Sequence, residues 1–289
     1  MKLSAATFRK IAAAAAVLLS AAGCAHYRLE PGARTGDYRI EAAERKLEFS
    51  NAAGSLVFKP NSAAVRVDGK VNMLLPYPVR YEDGRFLIEK RLLDRVVSPW
   101  LLRSPRTVRR VMIDPGHGGS EPGAPGSVIP EKSVNLAVAR KLKSELEKRK
   151  FEVHMTRDGD DTVPLRRRVG IADGSKSDIF VSIHHDSAVD RRARGYSVYA
   201  RDDSKFTGES TALALAIQSE IVKLSQVADR GVRFADFRVL HSAMPAVLIE
   251  LGFISNADEE KLMNSPARQQ AEAFAIADGI VNFCRGSRR

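Results

Sequence analysis

Four places in this sequence carry residues that could do chemistry together. His117 sits among glycines in Ile113-Asp114-Pro115-Gly116-His117-Gly118-Gly119, directly after the apolar run Val111-Met112-Ile113. His184 and His185 follow Ile179-Phe180-Val181-Ser182-Ile183, Glu250 ends the run Ala246-Val247-Leu248-Ile249, and Glu131 opens a stretch of helical period. Glycines let a metal or a substrate come close to the backbone. Two imidazoles and one carboxylate are a common catalytic zinc set that leaves a fourth position for water. The chain contains no His-Glu-x-x-His, so the donors must come from separate elements, which argues against a thermolysin-like arrangement. By residue chemistry alone His184 and His185 are nearly equal candidates. Neighbouring side chains on a strand face opposite ways, so the two are not expected to bind one metal together.

Those residues need a scaffold that brings distant segments to one edge, and the chain supplies the rhythm of one. From Arg109 strand and helix signals alternate. The apolar run before the glycine loop is followed by a helical period in Val134, Val138, Leu142 and Leu146. A strand over 151–156, a helix over 165–172, a strand over 178–183, a strand over 195–200 and a helix over 211–224 come next. The last strand, over 246–251, leads into two closing helices, one capped by Ser255 or Asn256 and the other spanning 267–284. The fold expected is α/β, a twisted and mostly parallel sheet with helices on both faces. In open sheets of this kind the functional crevice lies beyond the carboxyl ends of the strands, where His117, His184 and Glu250 fall. Glu131, at the start of its helix, faces the glycine loop.

Ile-Asp-Pro-Gly-His-Gly-Gly, the later Glu131-Lys132, Ser182-Ile183-His184, and Pro245-Ala246-Val247-Leu248-Ile249-Glu250-Leu251-Gly252-Phe253-Ile254-Ser255-Asn256 together resemble the zinc-dependent N-acetylmuramoyl-L-alanine amidases of the third amidase class, over about residues 109–285. The resemblance implies His117, Glu131 and His184 as ligands of one Zn2+ per chain and Glu250 as the catalytic carboxylate. It implies hydrolysis of the amide between the lactyl group of N-acetylmuramic acid and the L-alanine of the peptidoglycan stem. Zinc would polarise the amide carbonyl and acidify water while Glu250 moves the proton. Two other readings use the same residues: a catalytically silent wall-binding scaffold on this fold, and a zinc peptidase acting within the stem peptide. Some members of the class carry an extra helix that covers the zinc. The interval between His184 and Glu250 reads as one strand and one helix, so an open groove is expected.

The remaining candidates are weighed by their surroundings. Glu250, inside an apolar run, calls for a compensating cation nearby, in the simplest structural version an arginine. Asp114 reads equally as the acceptor that orients His117 or as a turn residue before Pro115. His185 is assigned to the lining of the substrate groove, His154 and His241 to packing or surface positions, and His26 to a linker. Arg166-Arg167-Arg168 and Arg191-Arg192-Arg194 read as solvated faces with attraction for anionic wall or membrane. No aromatic stacking platform accompanies them, so nucleic acid is excluded as a partner. Cys284, in the closing helix, reads as a small buried hydrophobe.

Residues 1–23 read as an export signal, with Lys2, Arg9 and Lys10 ahead of an apolar run from Ile11 to Ala22. That run is too short to span a membrane. Ala21-Ala22-Gly23-Cys24 resembles a lipoprotein cleavage site, which would leave a lipidated Cys24 as the membrane anchor; an ordinary secretory cleavage near Ala22 or Ala25 is the alternative. The net charge of +11 stays positive when the signal is removed. Residues 24–46 read as a tether. Residues 47–105 read as a small β-rich module, with strand signals in Ser55-Leu56-Val57-Phe58 and Arg85-Phe86-Leu87-Ile88 and turns at Asp68-Gly69 and Asp83-Gly84. Val67-Asp68-Gly69-Lys70 through Leu92-Leu93 resembles the copper amine oxidase amino-terminal module. Residues 106–289 are then the catalytic domain of a cell-envelope protein expected to act as a monomer. Under this reading, Cys24→Ser abolishes incorporation of labelled fatty acid in the producing bacterium; undiminished label in the variant would remove the anchor.

Overall fold

The computed structural model describes residues 107–285 throughout and, before them, residues 26–29, 34–35, 38–43, 46–51, 54–83, 85–89, 92 and 96–97. The signal and Cys24 lie outside the described residues. The chain divides into two compact units, with the boundary between Ser104 and Pro105.

The first unit is all antiparallel. Strands β1 (His26–Leu29), β2 (Arg34–Thr35), β3 (Tyr38–Ala43), β4 (Lys46–Asn51), β5 (Gly54–Phe58), β6 (Ser62–Val67), β7 (Val71–Glu82) and β8 (Arg85–Glu89) are joined as a meander from β2 to β8, and β1 returns to pair with β8. Alternation sets the faces: Leu47 and Phe49, Leu56 and Phe58, Val65 and Val67, Val71, Met73 and Leu75 are buried. Phe49 and Phe58 meet edge to face at 5.6 Å. The stretch 26–43, expected as a tether, instead contributes β1–β3. These strands are short and charged, so they lack the apolar alternation that makes a strand legible.

The second unit carries six strands: β9 (Arg110–Pro115), β10 (Glu152–Met155), β11 (Ile179–Asp186), β12 (Tyr196–Ala200), β13 (Asp229–Phe234) and β14 (Ala246–Phe253). Its helices are α1 (Glu131–Lys148), α2 (Leu165–Gly174), α3 (Thr207–Ile221), α4 (Ala257–Met263) and α5 (Pro266–Arg285), with a 3-10 turn at Arg238–His241. The strands run in the order β10-β9-β11-β14-β12-β13. Neighbours from β10 to β14 are parallel, β12 is antiparallel to β14, and β13 is parallel to β12. The expected α/β sheet, mostly parallel, is therefore present. Strand β13 is an addition to the sequence reading of the His184–Glu250 interval, which holds two strands, α3 and the 3-10 turn.

Burial explains the long apolar runs. Helices α1, α3 and α5 cover one face of the sheet, and α2 with the 3-10 turn covers the other. Strands covered on both faces read as continuous hydrophobic sequence. Val111, Ile113, Ile179, Phe180, Val181 and Ile183 are all fully buried. The expected helical period of α1 places Val134, Val138, Leu142 and Leu146 in the core, each with no exposed surface. Asn256 caps α4, its side chain accepting from the backbone N–H groups of Asp258 and Glu259. Cys284 is half-buried rather than buried, and burial pushes its thiol up to about 11.

The connections locate the functional edge. After β9 the chain crosses by α1 to β10 on one side, then by α2 on the opposite face to β11 on the other side of β9. Strand order therefore reverses between β9 and β11, and the crevice of an open sheet forms at the carboxyl end of such a reversal. Among the described residues no helix is long and apolar enough to cross a membrane. Leu142→Ala, which empties the seam under α1, is expected to cost about 2–5 kcal/mol of folding stability. A shift in denaturant midpoint corresponding to less than about 1 kcal/mol would mean that this seam contributes little.

Candidate metal centre

Three side chains from three elements meet at that edge. His117 stands in the loop after β9, His184 near the end of β11, and Glu131 on the first turn of α1. One ligand atom of each lies within 4.8 Å of the other two. Glu131 Oε2 is 3.1 Å from His117 Nε2, and Glu131 Oε1 is 2.9 Å from His184 Nδ1. The two imidazoles meet edge to face with centroids 5.0 Å apart. Glu131 is buried, whereas His117 and His184 keep some exposure, so the group opens toward solvent on the imidazole side. Burial would raise the Glu131 pKa; hydrogen bonds from His117 and His184 and from the Ala124 backbone N–H outweigh it and hold the carboxyl well below the usual range. An anionic carboxylate beside two nitrogen donors suits a divalent cation.

The loop is shaped to admit these rings. A Cβ at Gly116 would strike the His184 imidazole, and one at Gly123 would strike Glu131 and His117. Gly123 also adopts a φ of +73°, a conformation that glycine takes without strain. His117 itself has a φ of +60°, a left-handed conformation that costs a non-glycine residue energy and persists only where its surroundings impose it.

Two arginines impose it. Arg168 donates to the carbonyls of Pro115, Val163 and His117 at 2.7, 2.8 and 2.6 Å, and Arg157 donates to those of Pro115, Gly116 and Lys132 at 2.9, 2.9 and 2.8 Å. Both side chains are buried. Asp114 supplies the counter-charge, 2.7 Å from Arg168, and also accepts from Thr156 and Ser182. Asp114 therefore does not hold the His117 ring, and it is more than a turn residue: it anchors the loop through Arg168. Arg168 is correspondingly not on a solvated face, unlike its exposed neighbours Arg166 and Arg167.

His185 also departs from expectation. It points to the α1 face, is 1% exposed, and donates from Nδ1 to Asn135 Oδ1 at 2.7 Å, so it does not line a groove. Asn135 in turn donates to Glu131 Oε1 at 3.1 Å and to the Gly116 carbonyl at 3.2 Å, which fixes both the carboxylate and the loop. Burial lowers the His185 pKa to about 3 and keeps the ring neutral. Asn135 was not among the sequence candidates. His154 bonds Glu152 and His241 bonds Asp236, both away from this edge.

Glu250 is the registered neighbour of His184 across β11 and β14, so the two side chains share a face of the sheet. Its Oε2 is buried with no hydrogen-bond partner. Burial drives its pKa well above the ordinary carboxylate value, and the charges of Asp186 and Glu131 push the same way. The compensating cation expected beside Glu250 is not what acts on it; its electrostatic neighbours are acids. A half-buried carboxylate with one oxygen enclosed and unpartnered, beside a cluster of nitrogen and oxygen donors, would suit proton transfer near a metal.

The family described as N-acetylmuramoyl-L-alanine amidase matches residues 111–282. An uncharacterized protein, YqiI, of Bacillus subtilis (strain 168) is 40% identical over 177 residues, 61% of this chain and 84% of the relative. The probable cell wall amidase LytH of Staphylococcus epidermidis is 36% identical over 187 residues, 63% of this chain, which spans 61% of that relative. Among solved structures, the catalytic domain of CwlV, an N-acetylmuramoyl-L-alanine amidase from Bacillus (Paenibacillus) polymyxa var. colistinus, is similar with a TM-score of 0.56 and 37% identity, covering 60% of this chain and 96% of that one. An N-acetylmuramoyl-L-alanine amidase from Clostridium difficile 630 gives 0.58 and 35%, covering 60% and 95%.

Arg168→Met leaves the Asp114 carboxylate buried without its counter-charge and releases the loop carbonyls. The expected cost is about 3–5 kcal/mol, largely recovered in the Asp114→Leu, Arg168→Met double variant. Chemical denaturation of the three variants checks this, and a single variant of native stability would dismiss the clamp.

Proposed function

We propose, from the premise that the chain belongs to the N-acetylmuramoyl-L-alanine amidase family, that it is a zinc-dependent peptidoglycan hydrolase. It cuts the amide between the lactyl group of N-acetylmuramic acid and the L-alanine of the stem peptide. The observation that carries this reading is the approach of one donor atom from each of His117, Glu131 and His184 to within 4.8 Å of one another, with Glu250 in register beside His184.

His117, Glu131 and His184 would hold one zinc ion per chain. Bound there, zinc supplies Lewis acidity that polarises the amide carbonyl and makes water a better acid. The protein's own part is to keep the donors in place and to move the proton. Arg157 and Arg168 fix the loop of His117, and Asn135 fixes Glu131. Glu250 accepts a proton from the attacking water and passes it to the amide nitrogen. A C–O bond forms, the C–N bond breaks, and the products are a lactyl carboxylate and an alanine with a free amino group. Its raised proton affinity suits delivery to the leaving nitrogen, and a divalent charge in the triad would lower that affinity and favour the carboxylate that accepts the proton. No covalent intermediate is required.

The silent-scaffold reading is disfavoured because this chain retains the whole donor set and the unpaired carboxylate. The chain works in the cell envelope as a monomer, after export directed by residues 1–23 and anchoring through a lipidated Cys24, with no nucleic-acid partner. The His184–Glu250 interval holds two strands, α3 and a 3-10 turn, which supports a groove open without an activator.

Purified protein is expected to carry one zinc and to release intact stem peptides with new amino-terminal alanine from isolated sacculi. Glu250→Gln keeps the zinc while turnover falls by about 10²–10⁴-fold. Shortened peptides would identify a peptidase, and full activity after complete removal of metal would contradict the reading.

A further inference from the structure

Strand β13 begins with an irregularity beside the site. Tyr196 pairs with Asp229 but Ser197 pairs with Gly231, which leaves Arg230 as the extra residue of a bulge. Bulges next to functional sites re-aim a side chain. Here the guanidinium of Arg230 lies over the Phe253 ring, 4.8 Å from its centroid. Phe253 closes β14 just beyond Glu250 and is registered with Asp186 at the end of β11. Arg230 therefore stands at the same edge as the metal-ligand cluster, levelled on an aromatic face. Its Nη1 makes a long bond, 3.4 Å, to the Arg194 carbonyl, which leaves most of its donors available to a ligand. Arg233 lies on the same strand, opposite Tyr199, and braces Arg230 by donating from Nε to its carbonyl at 3.2 Å.

The floor between Glu250 and this pair is low. Glu250 is registered with Ser197, and Ser197 with Gly231, so one small residue separates the carboxylate from a glycine of β13. At about 4.8 Å per strand, β13 runs about 10 Å from β14. A peptide lying across that floor advances about 3.3–3.6 Å per residue. A group on the residue after the alanine would then stand about 7 Å from the scissile bond, within the span of an arginine rooted on β13. The charges of Arg230 and Arg233 are felt by Asp186 and Tyr199, whose environments also include Glu131 and Glu250 respectively.

We propose that Arg230, with Arg233 beside it, is the specificity site for the stem peptide, binding the free carboxylate of the residue that follows the alanine. The proposal rests on the amidase reading and extends it to substrate choice: an acidic second residue is preferred to its amidated form. A planar guanidinium offers paired donors that match a carboxylate, and a carboxamide cannot replace both acceptors.

The test uses the zinc-loaded full chain with muramoyl-L-alanyl-D-isoglutamate and its isoglutamine counterpart. The wild type is expected to favour the acid by about ten- to a hundredfold in kcat/KM, the size of one or two charge-assisted hydrogen bonds. Arg230→Gln raises KM for the acid and collapses the ratio toward one, leaving the amidated substrate within about threefold. Arg230→Lys retains part of the preference, and Arg233→Gln reduces it. A wild-type ratio near one, or an equal loss on both substrates in Arg230→Gln, would overturn the proposal. Cleavage of neither compound would count against the amidase reading instead. Calorimetric titration with L-alanyl-D-isoglutamate and L-alanyl-D-isoglutamine then decides the specificity claim by the same ratio, tight binding of the acid supporting it and equal binding opposing it.

Discussion

The placement of His117 at this edge depends on how two buried guanidinium groups hold one stretch of backbone. The loop after β9 is made of proline, glycines and a histidine in a left-handed conformation, so it has almost no side chains with which to hold itself. Arg157 and Arg168 bind its successive carbonyls, and Asp114 balances Arg168 from within the sheet. Charged donors in a dry interior bond backbone oxygens strongly, and the same dryness makes any unbalanced member costly. The mutual cation repulsion is visible in Arg157, whose pKa burial and Arg168 together lower. Removing one partner therefore disturbs the fold and the His117 position together.

A second consequence is the division of labour between two carboxylates. Glu131 is buried but receives hydrogen bonds from two imidazoles, two backbone N–H groups and Asn135, and it is held anionic. Glu250 is half-buried, its Oε2 is enclosed without such a partner, and its proton affinity is raised by desolvation. Environments that push the proton affinities of two acids apart would suit one to binding a cation and the other to carrying a proton. His185 links the first of these to the helical layer: its ring, neutral because it is buried, ends the chain His185-Asn135-Glu131.

Much of this was legible in the sequence, for identifiable reasons. Strands β9, β11 and β14 are covered on both faces and so read as uninterrupted apolar runs, and His117, His184 and Glu250 could be placed at their ends. The core period of α1 put Glu131 on its first turn. What could not be read were polar residues whose partners are backbone atoms far along the chain. Arg168 sits in a run of three arginines, two of them exposed, and nothing local distinguishes it. Arg157 follows a strand and looks like any loop cation. Strand β13, Asp-Arg-Gly-Val-Arg-Phe, buries only Gly231 and Val232 and carries a bulge, so it gives no alternating signal. The start of α3 at Thr207 rather than Thr211 was hidden because Phe206, at its cap, makes no side-chain capping bond.

The account stands on His117, Glu131 and His184 gripping one divalent cation while Glu250 stays off it. The most direct measurement is anomalous diffraction at the zinc edge from crystals of the zinc-loaded protein. One peak per chain, bonded by His117, Glu131 and His184 with the Glu250 carboxylate nearby but outside the coordination sphere, is the result expected. A peak ligated by His185 or Glu250, or no peak within the triad at full zinc loading, would contradict it.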